Sequence, residues 1–284
     1  MIRDRIKSNY ILYHILLPIV NFFRRVTNIY LRTIVFFVLY GLRRMHVLSK
    51  DAKIEDLKDK YVGKDIFIVA TGPSLSVEDL DWLQNNDEIS IGVNGIFKLY
   101  GETDWRPTYY ALDDVYLYKK YKADLGGINV DEVAKELAIF SEPVRKELTK
   151  NQRKCVGFIP ICYYDHWFTH YSKIFRYNSD IVMGHFDAYT VTNFAINLAD
   201  YMGANRIILM GVDCDYFQDK MHAGEKTGAH DDMDAKKLYD AQVSGYKFVN
   251  QVLNGKRTRV LNATRGGKLE VFPRISMEYI KENK

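Results

Sequence analysis

The chain has 284 residues, 47% apolar and 14% aromatic, enough to bury a full core, so disorder over most of its length is excluded. The formal charge of +4 is unevenly placed. Residues 1–50 carry nine Lys or Arg against one acid, Asp4, a net +8 that leaves −4 for the rest, which argues against a nucleic-acid footprint on the globular part.

Residues 10–42 are almost all apolar or aromatic, but Pro18, Arg24, Arg25 and Arg32 interrupt them before any run reaches the ~20 residues of a simple transmembrane helix. At about 100° per residue, His14, Asn21, Arg25, Asn28, Arg32 and Arg43 share one stripe, the pattern of a helix lying in a membrane interface. Pro18 kinks or divides it. A buried helical hairpin, an oligomer interface or one tilted span are the other readings. The apolar stretch is too long for a signal peptide and lacks a small-residue cleavage site. KDAKIEDLKDKYVGK, residues 50–64, reads as a linker or short surface helix, dividing an anchor at 1–50 from a catalytic domain at 51–284.

DIFIVA at 65–70 is a β-branched run suited to a buried parallel strand, and TGPSL follows at once. The next helix, capped through Asp79, would aim free N–H groups at the strand end, a geometry that favours phosphate. Gly72 would admit a ligand close to the backbone, and Pro73 sets the turn. A plain strand-to-helix connection accounts for the motif equally well. A second strand, 89–93, ends in Asn94-Gly95, and a third, 108–112, ends in Asp113-Asp114. Gly72 and Ser74, Asn94, and Asp113 would then lie side by side where open α/β sheets bind ligands. Asn94 can bond a base, ribose or phosphate, or form an Asx turn.

Cys162, inside FIPIC, reads as a small buried hydrophobe, and the three cysteines follow neither CxxC nor zinc-finger spacing, so no structural metal is expected. Thr190 to Asn193 opens a helix that Gly203 closes before the strand at 206–210, which ends in Gly211-Val212-Asp213. Residues 214–234 lack apolar periodicity and read as a lid. Asp231 or Asp232 would cap the helix that follows; with His222, His230 and Asp234 they match no standard metal site. Arg265 and Lys268, around Gly266-Gly267, either neutralise phosphate or flank a tight turn.

IVATGPSL, GVN and YTVTNFAINLADYMGANRIILMGVD stand in the order and spacing of bacterial sialyltransferases that use CMP-sialic acid, which the chain resembles over about residues 65–275. It is more similar still to the family with a 6-hydroxymethylpterin diphosphokinase-like domain, which includes motility-associated flagellin glycosylation factors and surface-polysaccharide cluster proteins. The tail LNATRGGKLEVFPRI is the most telling segment. The resemblance implies a Rossmann-like, mostly parallel α/β sheet with helices on both faces. It also implies a metal-independent glycosyltransferase, without cofactor, that moves a sialic acid-like or Kdo-like sugar from a CMP donor to a glycan or lipid-linked acceptor. Gly72, Pro73, Ser74, Asn94, Asp113, Gly211 and Asp213 would line the donor site, with Thr190, Thr192 and Asn193 at its phosphate or sugar. A lid tyrosine assisting the leaving phosphate and a lid histidine acting as base fall nearest to Tyr216 and to His230 or His222. Lys220 or Lys226 could share the first task. His166, His170 and His185 are reserves.

The expected setting is the cytoplasmic face of the inner membrane, held at an anionic surface through residues 1–46, with a homo-oligomer allowed and no nucleic acid. An ATP- and Mg²⁺-dependent pterin pyrophosphokinase, with Asp113, Asp114 or Asp213 as metal ligands, and a non-catalytic membrane scaffold are the competing functions.

Overall fold

Nine strands among the described residues follow from β-branched and aromatic runs of the sequence, and those at the centre of the main sheet are buried because both its faces are covered. A computed structural model describes residues 31–125, 128–162, 175–186, 188–215 and 235–284, together with Phe23. Strands β1 (Asp65–Val69), β2 (Ser90–Val93), β3 (Tyr109–Leu112), β4 (Leu137–Ser141), β5 (Val156–Ile159), β8 (Arg206–Met210) and β9 (Arg259–Asn262) form one sheet of order β5-β4-β3-β2-β1-β8-β9. Every pairing in it is parallel. Two-residue strands β6 (Ile161–Cys162) and β7 (His185–Phe186) pair separately.

Side-chain alternation assigns the two faces. Ile66 and Ile68 of β1 join Ile91, Ile207 and Leu209 on one side, while Phe67 and Val69 join Ile208 and Met210 on the other. The register sets Ile66 opposite Ile207 and Val69 opposite Met210, so the two central strands bury their apolar rows together.

Helices α1 (Leu31–Arg44), α2 (Val77–Asn85), α3 (Val115–Leu125), α4 (Val191–Tyr201), α5 (Ala235–Leu253) and α6 (Met277–Glu282) surround the sheet. Helix α4 is nearly all buried and lies across β1, β2, β3 and β8. Thr190 caps it through its hydroxyl, and Gly203, at φ +83°, follows its end as expected for a left-handed stop. The cap of α2 differs from the sequence expectation. Ser76 accepts the Asp79 N–H at 3.2 Å, while the Asp79 carboxylate is bound elsewhere.

Residues 50–64 do not run free as a linker. Ile54 and Leu57 are buried in the core, Ile54 against Gly157, where any Cβ would come within 2.6 Å of its Cδ1, and Asp51 accepts the Phe158 N–H at 3.0 Å. Apolar residues at helical spacing inside a charged stretch produce this strap. Helix α1 also packs on the domain. Phe36 enters a notch left by Gly184, whose Cβ would stand 2.5 Å from the ring, and meets Phe186 edge-on at 5.5 Å. Cys162 is buried beside Thr33. No helix among the described residues is long and apolar enough to cross a membrane.

Candidate active site

From β1 the chain moves outward to β5 and then returns to β8 on the other side of β1, so the sheet reverses its winding between those two strands. Open α/β sheets bind their ligands at the carboxyl edge beside such a reversal. The ends of β3, β2, β1 and β8 are adjacent there, bringing Asp113, Asn94, Gly72 with Ser74, and Gly211 with Asp213 into one row.

The two central loops are locked to each other. Gly72 N–H donates to the Gly211 carbonyl at 2.8 Å, and Ser74 Oγ donates to Asp213 Oδ2 at 2.8 Å. A Cβ on Gly72 would lie 1.7 Å from that same Oδ2, so the group that the missing side chain admits is the Asp213 carboxylate. Gly211, at φ +64°, leaves room for the Ala70 carbonyl.

The tail closes the other side of Asp213. Gly267 would meet the Asp213 carbonyl at 2.7 Å if it carried a Cβ, and Lys268 N–H donates to that carbonyl at 2.7 Å. Thr264 Oγ1 accepts the Val212 N–H at 3.0 Å. Arg274 then holds the turn by donating to the carbonyls of Thr264 at 3.0 Å and Gly266 at 2.7 Å. Burial pushes the Asp213 carboxyl up; the Ser74 hydrogen bond works against that, and the charge of Asp215 adds to it.

Asn94 begins a 3-10 turn at φ +50°. Its carbonyl accepts from Tyr110 Oη at 2.5 Å, whereas its side-chain Oδ1 is buried with no hydrogen-bond partner. A second orphaned acceptor lies at the same edge, in the first turn of α4. There Asn193 Nδ2 donates to the Ala188 carbonyl at 3.1 Å and Oδ1 is left unpaired. A buried acceptor without a donor costs about 1–3 kcal/mol, so two of them on one edge need an explanation. Buried side-chain atoms elsewhere, Ser90 Oγ, Gln84 Oε1 and Arg43 Nη1 among them, also lack a hydrogen-bond partner, and these three do not lie on this row.

Thr190, Thr192 and Cys214 share one phenol, that of buried Tyr246, which stands 3.4 Å from Thr190 Oγ1 and ties α4 to the residue after Asp213. Cys214 at φ +50° and Tyr189 at φ +64° add left-handed backbone at the carboxyl edge, where such conformations favour Asn or Gly. Asp113 is buried, and its carbonyl accepts from Ser141 Oγ at 2.5 Å. Pro73 is exposed on the turn.

Arg265 and Lys268, weighed above as phosphate partners, are engaged by protein acids. Arg265 pairs with Asp79 and, at 2.7 Å, with Glu278, and Lys268 reaches Asp215 at 2.9 Å. Lys281 completes the Asp79 cluster at 2.7 Å. His185, a reserve candidate, is enclosed by protein groups. It is buried in β7 with Nδ1 3.0 Å from Asn197 Oδ1 and Phe194 against its ring. Tyr216, His222, His230, His166, His170, Lys220, Lys226, Asp231, Asp232 and Asp234 lie outside the described residues. Sequence reasoning missed Tyr246, Arg274 and the Asp79 cluster. Only the last had a local signal, an acid at the start of a helix that already has a Ser cap.

This is a doubly wound α/β protein whose sheet reverses its winding between β1 and β8, the place where open sheets of this class bind ligands. The family model described as 6-hydroxymethylpterin diphosphokinase MptE-like matches residues 42–219, more than half of the chain, and the chain belongs to that family. Among solved structures it is similar to the MAf glycosyltransferase from Magnetospirillum magneticum AMB-1, with 14% identity and a TM-score of 0.47, over 77% of this chain and 34% of that one. The chain thus spans about a third of that protein's length. It is also similar to the sialyltransferase CstII from Campylobacter jejuni, solved with cytidine-5'-monophosphate, at 14% identity and a TM-score of 0.39, over 76% and 86% of the two chains. No curated protein matches the sequence.

Proposed function

We propose that the chain is a membrane-associated glycosyltransferase of surface polysaccharide or glycoconjugate synthesis, taking a nucleotide-activated sugar into the β1/β8 crevice. The observation that carries this is the pair of orphaned acceptors, Asn94 Oδ1 and Asn193 Oδ1, on the same edge as the Ser74–Asp213 lock. Hydroxyl and amino groups of a nucleoside or sugar would satisfy them. The donor we infer is a CMP-linked sialic acid-like or Kdo-like sugar.

In the reaction the acceptor oxygen bonds to the anomeric carbon while the bond from that carbon to the phosphate oxygen breaks, and its electron pair leaves with CMP. The acceptor proton passes to a base, His230 or His222 in this reading, and Tyr216 donates to the departing phosphate. In this reading the strand-end loops bearing Gly72, Pro73, Ser74, Asn94, Asp113, Gly211 and Asp213 line the donor site, with Thr190, Thr192 and Asn193 at its phosphate or sugar. No metal is required by this chemistry. The enzyme would work at the cytoplasmic face of the plasma membrane.

The family's description favours a second reading, an ATP- and Mg²⁺-dependent pterin diphosphokinase. Two of the acids it would use already have protein partners. Asp114 Oδ1 accepts the Tyr116 N–H at 2.7 Å, and Asp213 Oδ2 accepts from Ser74.

A thermal-shift screen of CMP, CDP, UDP, GDP and ATP, with and without Mg²⁺, tests the two. A ligand at 100 times its Kd adds about 2.7 kcal/mol of stability, several degrees in this size range. Metal-independent stabilisation by CMP is expected. Stabilisation by ATP with Mg²⁺ alone would reject the glycosyltransferase, and none by any nucleotide would leave a scaffold.

A further inference from the structure

Eight of the eleven exposed large hydrophobic side chains among the described residues fall between Phe23 and Leu48, so exposed apolar surface is concentrated on one element. Helix α1 is apolar on two opposite sides. Thr33, Phe36 and Tyr40 face the domain, whereas Ile34, Val35 and Val38, roughly half a turn away, are 56%, 53% and 56% exposed. Met45 and Val47, 65% and 66% exposed, continue the strip beyond the helix. Exposed apolar side chains gathered on one helix face make a docking surface rather than scattered surface apolarity.

We infer that this strip is a membrane-insertion face for an anionic bilayer, and that insertion turns the carboxyl edge of the sheet, with its crevice, toward the lipid. Charge selects the occupant. Residues 1–50 carry a net +8 while the rest of the chain carries −4, and Arg44 and His46 stand exposed at the end of the strip. Basic groups beside an apolar helix face match an anionic headgroup layer, each worth most near the surface. A second copy docking through the same strip would bring two +8 segments together.

The fold sets the orientation. Helix α1 packs on β6, which begins two residues after the carboxyl end of β5, and on Phe186, four residues before the Thr190 cap of α4. Both positions lie at the carboxyl edge. The β1 end is four strand spacings from β5, roughly 19 Å along that edge. An acceptor carried on a lipid is therefore the class within reach. The inference rests on the transferase reading for the acceptor alone; the insertion face stands without it.

The test uses the full chain and vesicles of phosphatidylglycerol and phosphatidylcholine. The wild type should float with mixed vesicles and only weakly with pure phosphatidylcholine. The double variant V35D/V38D should lose at least tenfold in partitioning, and V62D, an exposed apolar site at the amino edge, should float as the wild type does. Nitroxides on V38C, Y116C and V62C in a Cys155→Ser background add orientation. The Val38 label should reach acyl-chain depth, and nickel-chelating lipids should relax the Tyr116 label, beside β3's carboxyl end, more than the Val62 label. A wild type that stays unbound, a double variant that floats undiminished, or equal relaxation at Tyr116 and Val62 overturns the proposal. Should V35D/V38D fail to fold, the depth of the Val38 label decides. Nucleotide thermal shifts on the same proteins report on the crevice separately, so failure there with intact flotation rejects the transferase and not the face.

Discussion

Ser74 Oγ donates to Asp213 Oδ2 at 2.8 Å, joining loops that follow two adjacent central strands yet lie 139 residues apart in sequence. Because Gly72 gives up its side-chain volume to the same carboxylate, the three residues act as one packed unit.

Gly72→Ala should therefore be costly. Its Cβ would overlap Asp213 Oδ2 and approach the Gly211 carbonyl to 2.4 Å, and the second contact is backbone that cannot swing away. We expect a loss of about 1–3 kcal/mol in urea unfolding, together with loss of the nucleotide thermal shift. A variant with wild-type stability would show that the two loops are not rigidly joined.

Asp213→Asn should stabilise the protein at neutral pH. Burial raises the folded-state carboxyl above its ordinary value of 3.8, so the unfolded chain releases this proton first. Stability from this group is fully present below 3.8 and is lost as pH rises through the higher folded value. The Asn side chain can still accept from Ser74. Its advantage over the wild type should be absent in acid, grow across that window and then stay level, as melting temperatures from pH 3 to 8 would reveal. An advantage independent of pH contradicts the burial argument.

The Asp79 cluster has the opposite sign. Burial alone would raise this carboxyl, but hydrogen bonds from Arg265 and Lys281 outweigh it and hold it below the ordinary range. Its contribution is present above the ordinary carboxylate value and is lost as pH falls through the depressed one. Breaking a buried pair costs about 3–5 kcal/mol; since Arg265 remains partly solvated, Asp79→Asn should cost about 2 kcal/mol at pH 7. The difference from wild type should shrink as pH falls through that depressed value, read by denaturant titration at several acidic pH values.

Phe36→Ala should detach α1 without touching the crevice. The ring fills the Gly184 notch, and deleting a buried Phe costs about 3 kcal/mol. Trypsin should then cut faster at Arg43 and Arg44 while the nucleotide shift is unchanged. Equal cleavage rates would mean that the helix is held by other contacts.

Much of the scaffold was legible in the residues. DIFIV and RIILM form buried parallel strands because β-branched side chains suit a sheet covered on both faces, and TVTN and Gly203 bound α4 by capping and left-handed stop. Adjacency of the strand ends bearing Ser74, Asn94 and Asp113 followed from the alternation of strand and helix. The site's own chemistry was less accessible. Asp79 looked like a helix cap because its neighbours alone suggest one, and Arg265, 186 residues away, is what claims it. Arg265 and Lys268 resembled phosphate ligands for the same reason, until folding brought Asp79, Glu278 and Asp215 to them.

Local periodicity and capping, which depend on residues within a few turns of each other, determined from the chain alone which segments are strands and helices and where they stop. Tertiary structure decided which side of Gly72 is filled, which acceptors of Asn94 and Asn193 are stranded, and which face of α1 is turned outward. Those outcomes depend on burial and on partners distant in sequence, and a charge or an amide acquires its role only when the packed chain supplies or withholds its counterpart.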